Sequence, residues 1–310
     1  MKPRIKWLAG LLALVAVPYY WLLIDNRPGG APPRALDLAE LRRLADAVPG
    51  PKPDEIAVQI VGWRRVPGTF MAAGTGLKRV LVGIYAIRVR GPWGDVMIDS
   101  GFSAADAKRL GLERFVPAEQ AKVDAALRTA RRIVFTHEHP DHLYGLLRLP
   151  DFARVAGRAL VPPEQGPDAP LAGEAPWPRG SRHRLTPFSY AGMTAIAPGV
   201  VLIRTPGHTP GSQMVYVRLA RGREVVFAGD TATMARSWEE LRARSRLLSD
   251  FLAPEDRAAV FGWLKALQAL HRAAPAVFIA PGHDFEYLLH KAPRDTFRFR
   301  FDRAPDGPAE

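Results

Sequence analysis

The stretch Thr136-His137-Glu138-His139-Pro140-Asp141-His142 crowds three imidazoles and the Asp141 carboxylate into a turn that follows the apolar run Ile133-Val134-Phe135. Packing has no use for such a concentration. Neutral imidazole is the commonest biological metal ligand, and carboxylate suits the same divalent ions, so the cluster reads first as a metal site. Ligand-type residues recur at three later turns: His208 within Thr205–Ser212, Asp230 within Gly229-Asp230-Thr231, and His283 within Pro281-Gly282-His283-Asp284. Five of the eight histidines therefore lie in turns that follow apolar runs. His183, beside Arg182 and Arg184, and His271 and His290 read as surface residues. Asp99 stands at the end of Asp95–Ile98, where function tends to be grafted, although a turn or helix-cap aspartate is the plainer reading of that residue alone.

The chain has no cysteine, which excludes disulfides, thiolate-bound zinc and a cysteine nucleophile, so the site must use nitrogen and oxygen ligands.

These turns need strands behind them. Ile56–Val61 and Val80–Arg90 have the β-branched, alternating character of strands, and Asp95–Ile98, Ile133–Thr136, Val200–Ile203, Val215–Leu219, Val225–Ala228 and Val277–Ala280 read as further strands. Helices are expected over Ala104–Leu110, Ala118–Arg131, Ser237–Phe251 and Pro254–Ala273. The proline-rich region Pro150–Pro187 reads as a long loop of the kind that covers a site, with Trp177, Phe188 and Tyr190 as pocket or packing residues.

The 310 residues, 47% of them hydrophobic, suffice for a sizeable core. Lys2, Arg4 and Lys6 precede an uncharged run from Trp7 to Ile24, about the ~18 residues at which an apolar stretch becomes a membrane-span candidate. Residues 1–25 are thus expected to be a transmembrane anchor with the catalytic part on the periplasmic face, a cleaved secretory signal being the rival. Residues 26–53, rich in Pro, Gly and Ala, read as a tether carrying one short helix around Leu36–Val48, and the catalytic domain is expected over 54–310. The formal charge of +12 and pI near 10.3 are spread over isolated or paired arginines with no basic block, so nucleic acid is not an expected partner.

With His-x-His-x-Asp-His at 137–142 and the ordered Gly-His, Gly-Asp and Gly-His turns, the chain from about 54 to 290 resembles the metallo-β-lactamase superfamily. The resemblance implies an α/β fold, the four-layer αβ/βα sandwich, with a site along one edge of two facing sheets. It also implies that His137, His139 and His208 hold one metal, that Asp141, His142 and His283 hold a second, and that Asp230 bridges them. Asp99 would fix a ligand imidazole's tautomer by accepting its other N–H. Two zinc ions are expected, with iron or manganese as alternatives, and a shared hydroxide would serve as nucleophile, oriented by Asp141. Histidine at 139, in place of glutamate, argues against the flavodiiron branch. Asp230 is closer to the lactonase, glyoxalase II and phosphodiesterase branches than to true β-lactamases. Thr231-Ala232-Thr233-Met234 lacks the tyrosine of the acyl-homoserine lactonase pattern. The expected substrate is a small ester or lactone. The alternatives are a β-lactam or phosphodiester substrate, a mononuclear-iron persulfide dioxygenase, and a metal-dependent binding scaffold.

Overall fold

A computed structural model of the chain describes residues 3–301. Met1 and Lys2, at the start of the expected anchor, and 302–310, at the end of the expected catalytic domain, lie outside the described residues.

Thirteen strands are described: β1 (Glu55–Pro67), β2 (Arg79–Gly91), β3 (Gly94–Ile98), β4 (Arg114–Phe115), β5 (Arg132–Val134), β6 (Leu160–Val161), β7 (Thr186–Pro187), β8 (Met193–Ala197), β9 (Val200–Arg204), β10 (Gln213–Arg218), β11 (Glu224–Phe227), β12 (Val277–Ala280) and β13 (Phe297–Arg298). They form one sheet in the order β13-β1-β2-β3-β5, with β4 paired to β1, a second in the order β12-β11-β10-β9-β8, and a small β6-β7 pair. The period-2 alternation of a strand decides which side chain goes where. Ile56, Val58, Ile87 and Val89 of the first sheet meet Val200, Leu202, Val215 and Val217 of the second in the core between the sheets. Their neighbours point outward. Ala57, Val61 and Ala86 pack under the Pro117–Thr129 and Pro140–Leu147 helices, while Val201, Ile203, Met214 and Tyr216 pack under Leu38–Ala47 and Arg257–Ala273. Helices outside, two sheets inside: this is the αβ/βα sandwich.

The structure lends the N-terminal anchor expectation no support. The helix Pro3–Tyr19 has 17 residues with Pro18 inside it, and Tyr20–Ile24 continues as a π-helix. Among the described residues no helix is long and apolar enough to cross a membrane. The apolar run is cut short because its end turns onto the domain: the Leu23 carbonyl accepts from Thr69 Oγ1 and the Gly74 N–H, and Asp25 pairs with Arg246 at 3.0 Å. Before that turn Trp7, Leu11, Leu12, Leu14, Val15 and Val17 are exposed.

Residues 26–53, read from sequence as a tether, run along the second sheet. The Ala31 carbonyl accepts from Lys265 Nζ, Arg34 N–H donates to the Gly262 carbonyl at 3.1 Å, and the helix Leu38–Ala47 buries Leu41 and Ala45.

Candidate metal centre

Each candidate ligand follows a strand, and the strand ends converge on one edge of the sandwich. β5 runs through Phe135 into His137 and His139, after which the Pro140–Leu147 helix starts with Asp141 and His142 in its first turn. Pro140 at the first helical position suits this start, since its missing N–H would have had no partner there. β9 leads to His208, β11 to Asp230 and β12 to His283. Gly282 is required for the last approach, because a Cβ there would lie 2.6 Å from Asp230 Oδ1 and 2.5 Å from the Gly229 carbonyl.

The donor atoms form two overlapping groups. His139 Nδ1 lies 2.9 Å from His137 Nε2 and 3.0 Å from His208 Nε2. On the other side Asp141 Oδ2 lies 3.7 Å from His142 Nε2 and 3.6 Å from His283 Nε2. Asp230 spans both: Oδ2 is 3.6 Å from His208 Nε2, and Oδ1 is 2.9 Å from His283 Nε2 and 3.9 Å from His142 Nε2. Ligand atoms of His137, His139 and His208 lie within 4.8 Å of one another, as do those of Asp141, His142 and His283, and those of His137, His142 and Asp230 straddle the two groups at the same separation.

Most of the rings have their outer nitrogen occupied. Asp99 Oδ2 takes His142 Nδ1 at 2.9 Å, the Gly83 carbonyl takes His283 Nδ1 at 2.8 Å, and Glu255 Oε2 takes His208 Nδ1 at 2.9 Å. Thr136 Oγ1 lies 3.3 Å from His137 Nδ1. This leaves the Nε2 lone pairs of those four rings aimed inward, the arrangement by which metal-binding histidines are oriented.

The fit to a divalent metal is tested by the buried polar atoms the protein itself leaves over. His142 Nε2 and Asp230 Oδ1 are buried without a hydrogen-bond partner. The 2.9 Å approach of His283 Nε2 to Asp230 Oδ1 is an ion-pair distance without the alignment of a hydrogen bond, so it does not satisfy that oxygen. An orphaned buried acceptor is costly unless a cation or donor meets it. The donor set fits a metal.

The metal-free electrostatics divide the same way. Burial holds His137 and His208 well below the ordinary histidine value and His139 down to about 4. Burial also opposes charge on His142, but Asp99 and Asp141 outweigh it and raise that ring to about 10. Carboxylates thus prevail on the Asp141–His142–His283 side and are outweighed by burial on the other.

Three residues at the centre carry no motif in the sequence. Glu138, buried, accepts from Thr209 Oγ1 at 2.8 Å and the Gly211 N–H at 3.1 Å, clamping the turn that presents His208. Arg244, also buried, donates from Nη2 to Asp230 Oδ2 at 2.6 Å and from Nε to Thr233 Oγ1 at 3.1 Å. Its Nη1 lies 3.6 Å from Glu255 Oε2, and burial pushes the Glu255 carboxyl up to about 7.

A pocket of about 220 Å³ opens over the centre. His139, Asp141, Asp230 and His283 form its polar floor, Met71, Val82, Ile84, Leu110, Leu112 and Leu248 its apolar walls, and Arg64 and Arg244 add positive charge. The aromatic residues considered for this role lie elsewhere. Trp177 donates to the Ala172 carbonyl at 2.7 Å and packs on the core outside the first sheet, while Phe188 and Tyr190 pack against the core between the sheets.

The model of the metallo-beta-lactamase superfamily matches residues 80–283. Among solved structures, a quorum-quenching N-acyl homoserine lactone lactonase is 17% identical with a TM-score of 0.58, over 78% of this chain and 96% of that one. An N-acyl homoserine lactone hydrolase with N-hexanoyl-L-homoserine bound at its catalytic metal centre is 16% identical with a TM-score of 0.59, over 76% and 95%. A probable metal-dependent hydrolase from Staphylococcus aureus is 14% identical with a TM-score of 0.54, over 75% and 90%. With the family match covering most of the chain and the His/Asp cluster gathered at the sheet edge, the protein belongs to the metallo-beta-lactamase superfamily as a metal-dependent hydrolase.

Proposed function

We propose that the protein is a dinuclear, zinc-dependent hydrolase of small esters or lactones that carry a short apolar chain. The observation that carries this reading is the pocket itself: an apolar wall standing directly on a floor of metal-ligand side chains. Such a site takes a molecule with one polar, hydrolysable end and one greasy end. The likeness to lactone hydrolases supports the same class.

His137, His139 and His208 would hold one ion, Asp141, His142 and His283 the other, with one oxygen of Asp230 toward each. When bound, such a pair supplies a hydroxide nucleophile at neutral pH and Lewis acidity toward the carbonyl oxygen. The chain's own residues do the rest. Asp141, partly exposed to the pocket, is placed to accept a proton and pass it outward. Asp99, Glu255 and the Gly83 carbonyl hold the rings in the tautomer that leaves Nε2 free. The aliphatic walls exclude water from the acyl chain and orient it.

The test is a substrate panel on the full chain loaded with zinc: aliphatic esters and lactones, including N-acyl homoserine lactones, beside phosphodiesters and β-lactams. The expected result is turnover of esters or lactones that a chelator abolishes and added zinc restores. Turnover confined to phosphodiesters or β-lactams overturns the substrate class. One iron per chain with consumption of oxygen overturns the hydrolytic dinuclear reading.

A further inference from the structure

The two metal positions differ in the charge the protein places around them, and Arg244 is the reason. The His137–His139–His208 position has three imidazoles and, as its one carboxylate ligand atom, Asp230 Oδ2, which already accepts from Arg244 at 2.6 Å. Glu255, behind His208, has the same guanidinium 3.6 Å away, and Arg244 Nη1 lies 3.2 Å from His208 Nδ1. The Asp141–His142–His283 position has the Asp141 carboxylate, Asp230 Oδ1 with no donor of its own, and Asp99 backing His142. Arg244 makes none of its hydrogen bonds or ion pairs to the rings on that side. An arginine cannot relieve the repulsion by losing its proton, so its charge is a permanent tenant.

We propose that Arg244 makes the centre load in order: the Asp141–His142–His283 position fills first and tightly, and the His137–His139–His208 position fills second and weakly. This rests on the dinuclear reading above. In a partly buried site, one fixed charge beside one of two otherwise similar positions separates their affinities by about ten-fold or more. Arg244 is a positioning residue in this account. It pins Asp230 and orders the binding events without touching the substrate's reacting atoms.

The experiment is a zinc titration of the chelator-stripped full chain against a chromophoric chelator, read as stoichiometry and stepwise affinity with no turnover assay. Wild type is expected to bind two equivalents, the first about ten-fold or more tighter than the second. His139→Asn should leave one equivalent at the tight affinity, and His283→Asn one at the weak affinity. Arg244→Met should bring the two steps within about three-fold by tightening the second, while Arg244→Lys, which keeps the charge, should preserve the gap. Equal steps in wild type, the reverse result from the two histidine variants, or an unchanged gap in a folded Arg244→Met protein would each overturn the proposal with the dinuclear reading intact. Fewer than two equivalents in wild type would overturn the dinuclear reading beneath it. Should Arg244→Met fail to fold, the two histidine variants still decide the order of filling.

Discussion

Asp99 sits at φ +63°, a left-handed conformation uncommon outside glycine and tolerated best by aspartate and asparagine. The position is over-determined: the carboxylate accepts from the Thr136 N–H at 2.7 Å and Thr136 Oγ1 at 2.9 Å, as well as holding His142. Asn tolerates the same backbone, so Asp99→Asn should fold normally while losing the charge that orients His142. We expect zinc affinity at the Asp141–His142–His283 position to fall by about 10–100-fold, measured by chelator competition. The ligand-type residues were legible in the sequence because histidine and aspartate after apolar strands are conspicuous. Arg244 and Glu255 were not, since an arginine in a chain with 43 Lys and Arg carries no signal until the fold buries it. Glu138 was visible only as a filler between ligands, its partners Thr209 and Gly211 lying more than 70 residues on.

Strands were easier to read than helices. β-branched alternation marked β2, and short continuous apolar runs marked β9, β11 and β12, to within a residue or so, because those three strands bury one face against the opposite sheet and the other under helices. The helix expected over Ser237–Phe251 is instead a short helix Ala235–Glu239, an irregular stretch and a π-helix Leu247–Leu252. Its amphipathic pattern is genuine, but Leu241 at φ +52° breaks it, and the break turns Arg244 into the centre. The Pro140–Leu147 helix that presents Asp141 and His142 is tied at its far end: Arg148 donates to the buried Asp106 carboxylate at 3.0 and 2.8 Å. Burial raises the Asp106 pKa, but Arg148 and Ser103 outweigh it, so the net shift is downward from 3.8. A depressed folded-state value means that this tie stabilises above pH 3.8 and is lost as pH falls through the lower folded value. Asp106→Asn should therefore cost about 1–2 kcal/mol at pH 7, reduced by the partial exposure of Arg148, with the gap from wild type smaller at pH 3 than at pH 7. Urea unfolding at the two pH values measures it.

At the scale of the whole molecule, the centre is a seam. Its ligands follow β5 of the first sheet and β9, β11 and β12 of the second, so neither half of the sandwich assembles it alone. A ligand that binds only the assembled state stabilises it by mass action, about 2.7 kcal/mol for a site at 100 times its dissociation constant. Zinc should raise the unfolding temperature by several degrees, a chelator should reverse the gain, and His283→Asn should blunt it, as followed by circular dichroism.

The docking of residues 21–25 has a mechanical consequence. The Trp21 ring stands 6.2 Å edge-on from Phe251, in the same π-helical segment whose Leu248 lines the pocket, while Leu23 and Asp25 are bonded to the domain on either side. The root of the N-terminal helix is therefore clamped, with no slack between it and the enzyme. Anything that held that helix would set the bearing of the pocket mouth as well, as a rigid handle sets the direction of a blade, and a swivel inserted before Trp21 would let the mouth point anywhere while leaving the chemistry beneath it intact.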